Sequence, residues 1–190
     1  MTDDPGRETR AGTTADDVVV LVGPMGAGKT SVGRRVARGL GTRFTDTDKA
    51  IARRHGPIPA IFAEHGEQQF RLWERDAVAE ALESGGVVSL GGGAVVTASV
   101  RELLRPVPVV LLTVSPEAVA DRIAGSSRPL LSGAAGETEA SPESALERWR
   151  RIAEERAPWY AEVADAVFDT SRVPMTRVAD QIVEWMRGRA

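Results

Sequence analysis

Val18–Val22 is an unbroken apolar run dominated by β-branched residues. A strand reads this way when both of its faces are covered, so that neither can be polar. It stops at a glycine-rich stretch, residues 23–28. Beyond that the period changes. Val32, Val36 and Leu40 recur every fourth residue, which predicts a helix over 29–40 with one buried stripe, stopped at Gly41. The same reading continues down the chain. Strands are expected at 44–47, 87–90, 107–114 and 166–169. Short helical pieces are expected at 50–54 and 60–64, broken by Gly56, Pro57 and Pro59. A longer helix at 67–83 follows Gly66 and carries Phe70, Ala77 and Ala81 on one stripe. Further helices are expected near 98–104, at 116–124 with Ser115 as N-cap, at 143–156 and at 175–187.

Residues 125–142 are rich in Gly, Ser, Ala and Glu and show no apolar period, so they are expected to form a mobile loop. The polar stretch 1–16 is expected to be a disordered tail ahead of a single domain, 17–190. Five strands alternating with helices predict an α/β fold: a five-stranded parallel sheet flanked by helices on both faces. Ligands in such sheets bind at the carboxyl ends of the strands.

Composition narrows the function classes. Hydrophobic residues make up 42% of 190, enough for a sizeable core. Net charge is -3 and the pI is about 5.5, a balance that speaks against a nucleic-acid binder. Cysteine is absent, which removes disulfides, thiolate metal sites and thiol nucleophiles. Residues 1–16 lack the apolar core of a secretory signal, and the apolar run at 107–114 is too short to span a bilayer. The expectation is a cytoplasmic protein with no membrane partner. No exposed apolar stripe is evident, so a monomer is expected. His55 and His65 read as solvated, and Trp73, Trp149, Trp159 and Trp185 as packing residues. Of 24 basic residues only Lys29 and Lys49 are lysine, so Lys29 stands out.

Lys29 closes the first motif. Gly23-Pro-Met-Gly-Ala-Gly28-Lys29-Thr30 matches G-x-x-x-x-G-K-[ST], with a buried strand before it and an amphipathic helix after it. The glycines let backbone N–H groups approach phosphate oxygens, and the helix N-terminus adds its positive end. Lys29 can bridge the β- and γ-phosphates, and the Thr30 hydroxyl can ligand Mg²⁺. This motif implies a nucleoside triphosphate but leaves its use open, since GTPases, motors and switches share it.

The remaining signals concern the acceptor. Asp46 and Asp48, at i and i+2 on an extended segment, would point the same way, one toward Mg²⁺ and one as a base for a hydroxyl proton. Alternatively, Asp48 caps the next helix. Arg71, with Glu74 three residues on, is either an oriented fork for a carboxylate or a solvated helix residue. Gly91-Gly92-Gly93 is either a close-approach site or a tight turn. Arg128, opening the loop, either neutralises a transferring phosphoryl group or lies on the surface. Arg156 either takes part in the site or stabilises a helix C-terminus.

Taken in order, GPMGAGKTSVGRRVA, TDTD, IFAEHGEQQFR with Glu74, SLGGGAV, RPLL and ERAPWY resemble the shikimate kinase family from about Val18 to the C-terminus. The resemblance implies a nucleoside-monophosphate-kinase-like fold, with a substrate-binding region near 48–75 and a lid near 125–142. It implies ATP and Mg²⁺ as cofactors and shikimate as the small-molecule substrate, phosphorylated on its 3-hydroxyl. In that pattern Gly26, Ala27, Gly28, Lys29, Thr30 and Ser31 cradle the phosphates, and Thr30 and Asp46 serve the metal. Asp48 holds the hydroxyls and is the candidate base. Arg71 and Arg156 grip the carboxylate, the Gly92 and Gly93 backbone contacts the substrate, and Phe62 and Phe70 line its ring. Arg128 reaches ATP from the lid, while Arg122, Arg172 and Pro174 match adenine-end positions. The rival readings are a gluconate-type kinase, a nucleoside monophosphate kinase and a non-catalytic ATP-binding regulator of the same fold.

Overall fold

The computed structural model describes residues 18–124 and 144–189. The tail 1–16, the loop 125–142 and Arg128 lie outside the described residues. β1 (Val18–Val22) is buried at every residue and lies at the centre of the sheet. Around it are β2 (Phe44–Asp46), β3 (Gly86–Ser89), β4 (Val109–Thr113) and β5 (Ala166–Asp169), all parallel, in the order β2-β3-β1-β4-β5. The chain leaves β1 toward one edge and later returns to its other side. The crevice beyond the carboxyl end of β1 is therefore the place where this topology opens a ligand site.

Two cores explain the apolar run. Val19 and Leu21 pack with Val32 and Val36 of α1 (Lys29–Leu40) and Val178 and Ile182 of α7 (Met175–Arg187). Val18, Val20 and Val22 face the other way, toward Val78 and Ala81 of α3 (Ile58–Ser84), Val100 and Leu104 of α4 (Ala98–Leu104) and Tyr160 of α6 (Ala145–Val163). The side-chain period of 2 thus sends alternate residues of one strand into opposite layers. A third cluster, Ile51, Ile61, Phe70 and Ala77, holds α2 (Thr47–His55) against α3.

Several boundaries differ from the expectation, each for a local reason. β2 ends at Asp46 because that carboxylate turns to accept Lys49 N–H at 3.2 Å and caps α2. The short pieces expected at 50–54 and 60–64 grow into α2 and the first part of α3, with Pro59 near its start, where no backbone donor is needed. α3 kinks at Gly66 (φ 75, ψ 170) rather than ending there. β4 begins after Pro108, whose carbonyl still accepts Val20 N–H. α6 runs through Pro158 to Val163 instead of stopping at 156, so Arg156 lies mid-helix and the helix-C-terminus reading of it fails. α5 (Pro116–Ala124) starts with Ser115 Oγ accepting Ala118 N–H. His55 is not merely solvated: it stacks on Trp73 at 3.9 Å, and His65 meets the same indole edge-on.

Candidate active site

The phosphate loop joins β1 to α1. Gly23 (φ 138) lies flat against β4: a Cβ there would sit 2.2 Å from Leu112 O. Gly28 (φ 85) is the N-cap of α1 and faces Met175. The N–H groups of Lys29, Thr30 and Ser31 form the first helical turn, which has no intrahelical acceptors and leaves them for an anion. Lys29 Nζ donates to Gly23 O at 2.6 Å and Pro24 O at 3.1 Å. Its ammonium lies at the cleft floor. Burial pulls its pKa from 10.5 down to about 8, against the opposing fields of Asp48 and Asp46.

Thr30 Oγ1 donates to Asp46 Oδ2 at 2.9 Å, while Asp46 Oδ1 accepts the cap from Lys49 N–H. A hydroxyl and a carboxylate side by side at the phosphate loop form a hard-oxygen donor pair that fits Mg²⁺ shared with phosphates. Asp46 and Asp48 are not alternate residues of a strand. One caps α2 and the other stands in its first turn, and it is the helix start that aims both into the cleft. The cap offered as the alternative for Asp48 belongs to Asp46. Burial raises the Asp48 pKa, Lys29 opposes that shift, and Asp46 adds to it.

The three glycines after β3 set the next distances. A Cβ at Gly91 would meet Asp48 Oδ1 at 2.3 Å, and one at Gly93 would meet Arg71 Nη1 at 2.8 Å. Only a bare backbone lets both side chains close on this turn. Thr47 Oγ1 ties the start of α2 to β3 and the turn after it, donating to Ser89 O and accepting Gly91 N–H, each at 3.3 Å. Arg71 donates to Glu74 Oε2 at 2.8 Å and to Glu67 Oε1 at 3.0 Å. Burial raises the Glu74 pKa, and the Arg71 charge opposes it. Burial works against the Arg71 charge too, but Glu74 and Glu67 outweigh it and its pKa rises. From α6, Arg156 approaches the Tyr160 hydroxyl, which donates to Gly92 O.

Lys29, Thr30, Asp46, Asp48, Gly92 and Arg122, with Met25, line a cleft of about 800 Å³, while Arg71 and Arg156 are not among its lining residues. A phosphate cradle, a hard-oxygen pair, a carboxylate on the far side of the loop and two oriented guanidiniums suit phosphoryl transfer to the hydroxyl of an anionic acceptor. The family model described as shikimate kinase matches residues 25–187. The chain belongs to the shikimate kinase family. It is 43% identical to a shikimate kinase of Corynebacterium efficiens over 87% of this chain and 95% of the relative. It is 45% identical to one of Mycobacterium avium over 80% of this chain and 84% of the relative. Among solved structures it superposes on the shikimate kinase of Acinetobacter baumannii in complex with shikimate. That match has a TM-score of 0.79 and 34% identity, covering 91% of this chain and 94% of the other. A gluconokinase of Sinorhizobium meliloti, at TM-score 0.62 and 20% identity, shares the fold alone.

Within this family site, Arg122 lines the cleft, whereas Phe62, Phe70, Arg71, Gly93, Arg156, Arg172 and Pro174 are not among its lining residues. Phe70 is buried beneath Phe62, their centroids 4.6 Å apart. The apolar lining that the sequence did not single out is Ala52, Ile58 and Pro59. Arg122 spends its guanidinium on Gly26 O and on the carbonyl and hydroxyl of Thr170. Arg172 and Pro174 are exposed beyond β5, Pro174 as the N-cap of α7. Sequence reasoning also passed over Trp149, Thr170 and Tyr160, whose hydrogen bonds end on the phosphate loop or the glycine turn.

Proposed function

We propose that this shikimate kinase transfers the γ-phosphoryl group of ATP to the 3-hydroxyl of shikimate, giving ADP and shikimate 3-phosphate on the route to chorismate and the aromatic amino acids. The observation that carries the acceptor is the 91–93 turn, where Asp48 and Arg71 close on glycines two residues apart beside the phosphate loop. A carboxylate and a guanidinium so spaced offer a hydroxyl acceptor and a carboxylate clamp to one small ring.

The phosphates lie over Gly26, Ala27, Gly28, Lys29, Thr30 and Ser31, with Lys29 between the β- and γ-groups. Thr30 and Asp46 hold Mg²⁺, which when bound neutralises charge on the phosphates. Asp48 accepts the hydroxyl proton as that oxygen bonds to the γ-phosphorus and the bond from γ-phosphorus to the β-phosphate oxygen breaks. Arg71 and Arg156 grip the substrate carboxylate, the Gly92 and Gly93 backbone and Phe62 border the ring, and Phe70 supports Phe62 from below. Arg122, Arg172 and Pro174 serve the adenine end, and Arg128 serves the phosphoryl charge. Positioning and charge neutralisation supply the rate, with no covalent intermediate on the protein.

In this reading the enzyme is a cytoplasmic monomer. Among the described residues no helix is long and apolar enough to cross a membrane, and the large exposed apolar side chains, Met25, Leu72 and Val167, sit on three different elements. The test is ADP release from Mg·ATP with shikimate, gluconate or AMP as acceptor, with the product identified by mass. Turnover with shikimate alone is expected. Turnover with gluconate instead would overturn the assignment of shikimate as acceptor, and turnover with AMP would overturn the carboxylate clamp.

A further inference from the structure

Five consecutive carbonyls of the phosphate loop each accept a side-chain donor. Lys29 takes Gly23 O and Pro24 O. Trp149 Nε1 takes Met25 O at 2.8 Å. Arg122 takes Gly26 O, and Thr170 Oγ1 reaches Ala27 O at 3.0 Å, its one proton shared with Thr113 O at 2.9 Å. Apart from Lys29, which follows the loop directly, the donors come from three elements: α5, α6 and the end of β5.

A trans peptide is planar, with its C=O and the next residue's N–H on opposite sides. Holding Met25 O outward therefore turns the Gly26 N–H inward, and holding Ala27 O outward turns the Gly28 N–H inward. Ala27 N–H closes a turn onto Pro24 O at 3.3 Å, so the amides that these held carbonyls set toward an anion are those of Gly26 and Gly28. A loop with left-handed glycines at both of these positions has no steric preference of its own for that orientation. Trp149 and Thr170 are both buried, and neither is among the residues lining the cleft.

We infer that Trp149 and Thr170 are positioning residues that set the phosphate-binding amides by holding the carbonyls behind them. The inference rests on the kinase reading and adds that the cradle is not made by its own sequence alone. On α6, Trp149 stands seven residues before Arg156 and eleven before Tyr160, so one helix face reaches the back of the phosphate loop and the glycine turn.

The test is calorimetric binding of Mg·ADP, together with separate KM values for ATP and shikimate, in Trp149→Phe, Thr170→Val and Thr170→Ser. Loss of one such bond is expected to weaken ADP binding and raise KM for ATP roughly three- to ten-fold. KM for shikimate should stay unchanged. Thr170→Ser, which keeps the hydroxyl, should retain wild-type affinity. Should one tryptophan or valine variant fail to fold, the other carries the test. A folded Trp149→Phe or Thr170→Val protein that binds ADP like wild type overturns the inference, as does a parallel rise in both KM values. Wild-type protein that binds no ADP would overturn the kinase reading itself.

Discussion

In the proposed site Lys29 serves the phosphates as an ammonium, yet in the free protein burial pulls its pKa down to about 8. Bringing a polyanion beside it restores the proton, because a nearby opposite charge favours the ionised form. Below pH 7 the ammonium is already present and nucleotide binding moves no proton there. Near pH 8.5 most of the free protein lacks that proton, and binding must draw it from buffer. Calorimetry of Mg·ADP binding in two buffers of different ionisation enthalpy should show uptake of a large fraction of one proton at pH 8.5 and almost none at pH 6.5. Lys29→Ala should bind more weakly and show no uptake at either pH. Equal uptake at both pH values would mean that the proton goes elsewhere.

At the scale of elements, α3 delivers the guanidinium and α6 ties the two halves of the site together. Glu74 is 1% exposed and its partner is Arg71, three residues back on the same helix face. Removing one member of a buried ion pair leaves the other uncompensated, at a cost of about 3–5 kcal/mol where burial is complete. Arg71 keeps an open edge, so the loss should be smaller. Arg71→Ala and Glu74→Gln are both expected to raise KM for shikimate at least ten-fold while KM for ATP changes little. Glu74→Gln tests orientation, because it keeps the guanidinium and removes the charge that aims it. An unchanged KM for shikimate in Arg71→Ala would remove Arg71 from the clamp. The elements themselves were readable where one residue type settles a local question. α1 and α7 begin and end where the four-residue period and the flanking residues say, and Gly41 stops α1 in the left-handed region. α6 was expected to end at 156, whereas it runs through Pro158, with buried Tyr160 and its bond to Gly92 O holding the next turns in place. Trp149, Thr170 and Tyr160 stayed hidden for another reason. Their acceptors are backbone carbonyls 124, 143 and 68 residues away, and a carbonyl leaves no mark in a sequence. The carboxylates at 46 and 48 were legible as a pair, but the spacing argument behind them assumed a strand that stops one residue earlier.

Over the whole molecule, the sheet order places four titratable groups, Lys29, Asp46, Asp48 and Arg71, at the carboxyl ends of β1, β2 and β3, and the fold bears a cost for gathering them. Asp48 shows the sign of that cost. Its folded pKa is raised, burial being the largest cause, while the unfolded chain keeps the ordinary value of 3.8. Between those two values the folded protein binds more protons than the unfolded one, so stability falls as pH rises through the window. Above that window the ionised carboxylate is a standing destabilisation, the usual exchange of stability for function. Asp48→Asn removes it. Its melting temperature should exceed that of wild type at pH 7.5, and the gap should close as pH falls to the ordinary value of 3.8, below which Asp48 is protonated folded and unfolded alike. The same substitution should lower kcat by about a hundred-fold or more, as loss of a general base does. Melting curves of both proteins across that pH range, in the absence of ligand, decide the point. An Asp48→Asn protein that melts below wild type at pH 7.5 would mean that Lys29 and Arg71 hold the carboxylate more firmly than burial opposes it.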